Sequence, residues 1–456
     1  MIFKRGQELE LTIDSVVYGG EGLAKTNNFI VFVPKTVPND KIKAEIISVK
    51  SSYARALVKE LMEPSEYRVK PKCPVTDDCG GCQWQEIDYK KQLEFKEKNL
   101  LEALNKIAGF DLDYLESIKE PIISSDNQFF YRNKAQFPFA FLNGKIKAGF
   151  YKEKSHDIVE IDKCYIQNDK INHIFRKIKE IIIRDKISCY DEKRKKGLIK
   201  NIIVRHAFFT DQILIGFVTS EYNFDGIKKI VKELTKEFPE IKSIVQNIND
   251  KNTNVILGTK NINHFGEGYI IEQLKDIKYR VSLNSFLQVN PVQTINLYQK
   301  VIDFCEPKKE DIILDAFAGA GSIGLLLTKY VKKVIGIEVV QEAVKDGIEN
   351  ANINNINNFQ FILGTVEDRI PEVLEKNKIN TIILDPPRKG CEPHIFDVID
   401  KNVKKIIYVS CNPSTLARDS KFLIDIGYNL VKFQAFDMFP HTYHVETVAL
   451  FELRNN

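Results

Sequence analysis

The sequence places a thiol and a carboxylate where they can act together. An apolar run, Val403-Lys-Lys-Ile-Ile-Tyr-Val-Ser410, delivers Cys411 into the turn Cys411-Asn412-Pro413, and Asp437-Met438-Phe439-Pro440 leads on to Glu446. An Asn-Pro turn exposes its side chains instead of packing them, and a carboxylate opening the next strand can face the same crevice. The pair suits a reaction in which sulfur adds to an unsaturated ring, the neighbouring carbon attacks an electrophile, and a base then removes that carbon's proton so that sulfur can leave. Adding a carbon at C5 of a pyrimidine is such a reaction, with sulfur adding at C6. Cys411 would be the nucleophile and Glu446 the base. Alone, each residue has a plainer reading, a small buried thiol and a solvated charge; only the combination points to chemistry.

A second set of thiols has the spacing of a metal site. After the linker-like Glu63-Pro64-Ser65 come Cys73-Pro74, Cys79-Gly80-Gly81-Cys82 and Gln83-Trp84-Gln85. Three thiols spaced x5 and x2 thus sit on a glycine-rich loop that can wrap tightly around a cluster. Cys164, in Ile161-Asp162-Lys163-Cys164, is the best fourth ligand, leaving Cys189, Cys305 and Cys391 as buried thiols. Four thiolates fit an iron–sulfur cluster or structural zinc. A compact triplet with one distant partner favours iron–sulfur, because zinc sites more often pair two short Cys knuckles. His441 and His444, spaced i and i+3, lack a third placed ligand and are not read as a metal site.

These groups need a sheet to hold them. From residue 311 the pattern alternates strand and helix, the signature of a parallel sheet. Asp311-Ile-Ile-Leu-Asp315 is a strand, Gly319-Ala320-Gly321-Ser322-Ile323-Gly324 turns it into a helix, and Val334-Ile-Gly-Ile-Glu338 ends a second strand with an acid. This is the arrangement of a nucleoside cofactor site: Gly319 and Gly321 admit a ligand to the backbone, and Glu338 holds ribose hydroxyls. Ile382-Ile-Leu-Asp385-Pro386-Pro387-Arg388 ends a later strand with a carboxylate beside a Pro-Pro turn, which argues against a dinucleotide and for S-adenosylmethionine beside a planar base. Arg388 stands where amino-methylating enzymes carry a stacking aromatic, so methylation of an exocyclic amine is disfavoured.

The chain has 456 residues, enough for about three domains, and 43% apolar content. Residues 1–63 read as a small barrel whose tight turn is Gly19-Gly20-Glu21-Gly22; with Phe32-Val33-Pro34 it resembles a TRAM domain, an OB-like RNA-binding barrel. Residues 64–284 read as a strand-rich α+β central domain. There, Arg132 and Lys134 flank a strand start beside aromatic residues and suit RNA contacts. The run Lys193-Arg194-Lys195-Lys196 can hold RNA phosphates. A net charge of +4 permits a polyanionic partner without demanding one. The N-terminus lacks a signal-peptide core and no eighteen apolar residues run together, so a cytoplasmic protein without membrane contact is expected.

Over nearly its full length the chain resembles the RumA/TrmA class of S-adenosylmethionine-dependent RNA (uracil-5-)-methyltransferases. The resemblance rests on Cys73, Cys79, Cys82 and Cys164, on Ser285-Phe-Leu-Gln-Val-Asn290, on Asp385-Pro-Pro-Arg388, on Ser410-Cys-Asn-Pro413 and on Asp437-Met-Phe-Pro-His-Thr-Tyr-His-Val-Glu446. It implies a Rossmann-like α/β methyltransferase domain over 285–456, with a mostly parallel seven-stranded sheet. It further implies cofactor contacts at Gln288, Phe317, Glu338, Thr365 and Asp385, a nucleophile at Cys411, a base at Glu446 and [4Fe–4S] ligands at the four cysteines. Ala318 departs from the family, where a Cys is usual, and Thr365 stands where an acid or amide is common. Possession of both barrel and cluster resembles the 23S rRNA enzymes more than the bacterial tRNA enzymes, although archaeal relatives with both features act on tRNA.

The expected mechanism follows. Barrel and central domain grip a folded RNA, a uridine flips into the crevice, Asp385 orients the uracil, Cys411 adds at C6, C5 takes the methyl, and Glu446 removes the proton. No obligate protein partner is implied. Two other classes compete. A non-catalytic RNA-binding factor has no need of Cys411 with Glu446, and radical methylthio-transferring enzymes use a C-x3-C-x2-C triplet and lack this cofactor loop.

Overall fold

The computed structural model describes residues 3–26, 29–142, 144–251, 253, 255–399 and 401–454; among these, no helix is long and apolar enough to cross a membrane. Strict alternation of buried and half-buried residues makes Phe29–Val33 a strand of the N-terminal barrel. That barrel comprises β1 (Glu8–Thr12), β2 (Ser15–Val16), β3 (Gly22–Thr26), β4 (Phe29–Val33), β5 (Lys41–Val49) and β6 (Tyr53–Glu63), in the order β1-β5-β6-β4-β3-β2. Its interior is packed with Leu11, Ile13, Val31, Val33, Ile42 and Ile46. The glycine turn sits between β2 and β3, and Gly19 and Gly20 need their positive φ of 115° and 88° there.

The next strand, β7 (Lys119–Ile123), joins the C-terminal sheet. Then β8 (Lys134–Leu142), β9 (Lys145–Tyr151), β10 (Ile158–Glu160), β11 (Ile199–Ala207), β12 (Gln212–Thr219), β13 (Ile241–Ile248) and β14 (Lys260–Phe265) form a seven-stranded sheet in the order β10-β9-β8-β11-β12-β13-β14. The helix Asp169–Arg184 presents Ile171, Ile174, Phe175, Ile178, Ile181 and Ile182, an apolar stripe at helical spacing, to that sheet. A hairpin, β15 (Tyr269–Leu274) and β16 (Ile277–Ser282), buries Ile270, Tyr279 and Val281 in a core shared with the C-terminal sheet.

The C-terminal sheet contains β17 (Ile312–Asp315), β18 (Lys333–Glu338), β19 (Phe359–Leu363), β20 (Thr381–Leu384), β21 (Lys405–Ser410), β22 (Tyr428–Phe436) and β23 (Glu446–Leu453). These are the seven expected strands, and β7 adds an eighth at the edge, in the order β19-β18-β17-β20-β21-β23-β22-β7. Strands β17 to β21 pair in parallel, whereas β23 runs antiparallel to β21. That single reversal positions the site. The ends of the parallel strands share an edge, and the antiparallel strand must start at the same edge.

Candidate active site

Asp315 ends β17, Glu338 ends β18, Asp385 follows β20, and Cys411 follows β21. Strands β21 and β23 pair up to Ser410↔Thr447, so Cys411 and Glu446, the residues adjoining that last pair, come out at the same end of the sheet. Two residues 35 positions apart in sequence therefore flank one crevice. Glu446 is buried, at 4% exposure. Burial, then the charge of Asp385, pushes its carboxyl up to about 8, with Arg388 opposing. Burial likewise raises Asp385 to about 7. Burial also raises Asp315 to about 7, helped by Asp385 and Glu338. The Cys411 thiol is pushed up to about 12 by burial and by Glu446 and Asp385; among nearby charges Arg388 lowers it. The crevice thus holds the nucleophile candidate as a neutral thiol at physiological pH.

The loop from Asp437 to Glu446 is braced by residues that sequence reading did not single out. Lys96, on the helix Tyr89–Ala103, and Asp437 are both completely buried and form an ion pair at 2.5 Å. Lys96 also donates to the Phe439 carbonyl at 3.0 Å, and Tyr89 donates its hydroxyl to Asp437 Oδ2 at 2.7 Å. Gln92 accepts from the His441 backbone N–H at 2.9 Å, and the His441 carbonyl accepts from the N–H groups of Gln83 and Trp84. His441, at φ 66°, is thereby a corner of the loop. On paper Lys96 lies among Glu94, Glu97 and Lys98 and looks like any solvated helix face; only the tertiary packing distinguishes it. Tyr18 is the other unforeseen residue: from the barrel turn its hydroxyl donates to the Cys411 carbonyl at 2.8 Å.

The glycine loop closes the opposite side of the crevice. Glu338 accepts the Gly319 N–H through Oε2 at 2.9 Å and the Val340 N–H through Oε1 at 2.7 Å. Gly319 has φ 55° and nothing within 4 Å of where a Cβ would stand, a backbone open to a ligand. Gly321, at φ 82°, packs closely on Leu325 and Phe361 instead. Asp315 Oδ2 accepts the Gly324 N–H at 3.1 Å, while its buried Oδ1 has no partner. Gln288 is buried, Phe317 packs on the sheet core, and Thr365 caps the helix Val366–Lys376 by accepting the Asp368 N–H. An open glycine backbone, an unpartnered buried carboxylate oxygen and three carboxyls raised by burial lie at one end of the sheet, a set of polar groups that fits a nucleoside ligand.

Cys73, Cys79, Cys82 and Cys164 line one cavity of about 390 Å³, together with Arg132, Lys134, Tyr165 and Val289. Gly80 donates to the Tyr151 carbonyl, and a Cβ on it would lie 3.0 Å from the Glu153 backbone, so a larger residue would have to push that backbone aside. Cys164 exchanges hydrogen bonds with the Asn172 side chain at 2.8 and 3.0 Å. Burial pushes the Cys82 thiol up to about 12 and the Cys164 thiol up to about 11. Among the described residues, no three His, Cys, Asp or Glu side chains converge closely enough to hold one metal ion. Arg132 and Lys134, expected at RNA, face this cavity. Burial and the charges of Arg205 and Arg132 push Lys134 down to about 7. The run Lys193–Lys196 lies elsewhere, with Arg194 and Lys196 bordering a second cavity of about 770 Å³.

The profile of the tRNA (uracil-5-)-methyltransferase family matches residues 88–454, and that of the TRAM domain matches residues 3–59. An RNA methyltransferase of Clostridium tetani, not further characterised, is 39% identical over 98% of this chain and 96% of its own length. One from Clostridium acetobutylicum is 40% identical over 98% and 97%. The crystal structure of Pyrococcus abyssi tRNA (uracil-54, C5)-methyltransferase in complex with S-adenosyl-L-homocysteine overlays with a TM-score of 0.76 at 28% identity, covering 97% of this chain and all of that one. The chain belongs to the RNA (uracil-5-)-methyltransferase family and uses S-adenosylmethionine.

Proposed function

We propose that the protein methylates C5 of a uridine in 23S rRNA, with Cys411 as nucleophile and Glu446 as base. The observation that supports the chemistry is the β21–β23 pairing, whose last pair, Ser410↔Thr447, leaves Cys411 and Glu446 adjoining it at the same end of the sheet. S-adenosylmethionine supplies an electrophilic methyl group, and Gln288, Phe317, Gly319, Gly321, Glu338, Thr365 and Asp385 are the residues that would hold it. The target uridine leaves its stack and enters the crevice. Asp385, protonated near neutral pH by its burial, donates to the uracil and orients it. The Cys411 thiol releases its proton to solvent, with Arg388 favouring the thiolate, and the sulfur bonds to C6. The C5–C6 double bond becomes an enolate, C5 takes the methyl, and the Glu446 carboxylate accepts the C5 proton as the sulfur–C6 bond breaks.

The four cysteines would hold a [4Fe–4S] cluster in a structural role. Two features support the reading: the four cysteines line one cavity, and a compact triplet spaced x5 and x2 with one distant partner favours iron–sulfur over zinc. Arg132 and Lys134, which line the same cavity, then serve the cluster before they serve RNA. The site of action is the cytoplasm, with no membrane and no obligate protein partner.

The ribosomal substrate is supported by the company of barrel and cysteine cavity in a chain whose close relatives are bacterial. A tRNA substrate is the second reading, favoured by the full-length overlay on the archaeal tRNA enzyme. Incubating the purified protein with unmethylated 23S rRNA and tRNA transcripts, and locating 5-methyluridine by mass spectrometry, separates them. Label in 23S rRNA is expected; label in tRNA alone selects the second reading, and label in neither rejects the activity on both.

A further inference from the structure

The barrel reaches the nucleophile's own backbone. Its β2–β3 turn is closed by hydrogen bonds from Val17 N–H to the Glu21 carbonyl and from Gly20 N–H to the Val17 carbonyl, each 3.0 Å. The turn is seated, not free. Trp84 Nε1 donates to the Gly20 carbonyl at 3.3 Å, and Val16 is buried with Trp84, Val37 and Ile87. A Cβ on Gly20 would come within 2.8 Å of the Gln83 side chain and 3.1 Å of the Tyr443 ring, so only glycine lets the turn approach this closely. The seated turn presents Tyr18 to the catalytic crevice, its ring edge-on to Tyr443 at 5.1 Å.

The Tyr18 hydroxyl donates to the Cys411 carbonyl at 2.8 Å. The Asn412 N–H, at the other end of the same planar peptide unit, donates to Ser410 Oγ at 3.1 Å. The peptide that follows Cys411 is therefore pinned at both ends, and turning it about the Cys411 Cα–C bond would break both contacts. Only the Ser410 anchor comes from the methyltransferase domain. The Tyr18 anchor crosses 393 residues of sequence. Burial and the nearby Cys411 raise the Tyr18 ionisation well above the ordinary tyrosine range, so the phenol keeps its donor proton across physiological pH.

We propose that Tyr18 is a positioning residue for the Cys411 nucleophile, so that the N-terminal barrel completes the catalytic turn as well as meeting RNA. This rests on the assignment of Cys411 above. The test is Tyr18→Phe, which keeps the ring and removes the hydroxyl. With RNA carrying 5-fluorouridine, the single-turnover rate of covalent adduct formation at saturating RNA is expected to fall about fivefold, the scale of one hydrogen bond. The RNA Kd and thermal midpoint stay at the wild-type values, and the rate–pH profile drops without shifting. Adduct formation at the wild-type rate, or a slowing that extra RNA abolishes, overturns the proposal. A wild-type protein that forms no adduct at all instead removes the Cys411 assignment before Tyr18 comes into question.

Discussion

Five of the eight cysteines lie at two sites, Cys411 at one and four at the other, and the titratable groups around them differ in type. Cys411 faces Glu446 and Asp385, with Arg388 as the opposing cation, and its thiol is held at about 12. The four-cysteine cavity is lined instead by Arg132 and Lys134, and the barrel's Lys35 ties its loop by donating to the Thr76 and Cys82 carbonyls. A carboxyl-rich crevice resists a permanent thiolate and welcomes a cation, which suits a nucleophile that must act transiently beside a positively charged methyl donor. Burial raises the thiols there as well, Cys82 to about 12 and Cys164 to about 11, but their neighbours in the cavity lining are one another and two basic side chains, an arrangement that suits ligands more than a nucleophile. The same side chain is thus assigned to turnover in one region and to architecture in the other.

Substitution can break that contrast most sharply at Cys411. Cys411→Ala is expected to lower methylation by at least roughly 10⁴-fold while its thermal midpoint and RNA affinity hold. Cys82→Ala should do the reverse in kind. Visible absorbance and bound iron are lost and the protein unfolds at lower temperature, so that activity declines with the folded fraction; a Cys82→Ala protein with unchanged iron and midpoint would remove the cavity from the architecture. Between the two regions lies the Lys96–Asp437 pair. Lys96→Met leaves a buried carboxylate without its cation and is expected to cost about 3–5 kcal/mol in denaturant unfolding, with Lys96→Met/Asp437→Leu recovering part of it.

The smallest effect is on pH. Asp315 and Asp385 at about 7 and Glu446 at about 8 stand above their ordinary values of 3.8, 3.8 and 4.5. The folded chain therefore binds protons that the unfolded chain releases across that interval. The stability these groups contribute is fully present below about pH 4 and is lost as pH rises through about 8. The thermal midpoint of the ligand-free protein should fall between pH 5 and pH 8, and Glu446→Gln should flatten the descent.

Much of this was legible in order along the chain, and the rest was not, for a physical reason. Strand ends followed by Asp385-Pro-Pro and Cys411-Asn-Pro announce a sheet edge, because a turn must follow an apolar run that carries a functional group. Of the two glycines in the cofactor loop, Gly319 has open space where a Cβ would stand and Gly321 lies against Leu325 and Phe361, a difference that spacing cannot show. Strand β7 falls within residues 64–284, which read as the central domain, yet it pairs with β22, more than 300 residues away; its five residues carry no mark of which sheet they join. Charge type at Arg132 and Lys134 is visible in sequence, but that both line the cysteine cavity is not, because it depends on the direction of each side chain. Tyr18 and Lys96 matter through partners hundreds of positions distant, and neither sits in a motif.

The central claim is a transient bond between Cys411 sulfur and C6 of the target uracil. Incubation with S-adenosylmethionine and RNA bearing 5-fluorouridine tests it most directly, because fluorine at C5 cannot leave as a proton does. A protein–RNA complex that survives denaturation, with the nucleotide's mass on the peptide containing Cys411, is the predicted result. Methylation of ordinary RNA by the same preparation, with no such complex from the fluorinated substrate, would contradict it.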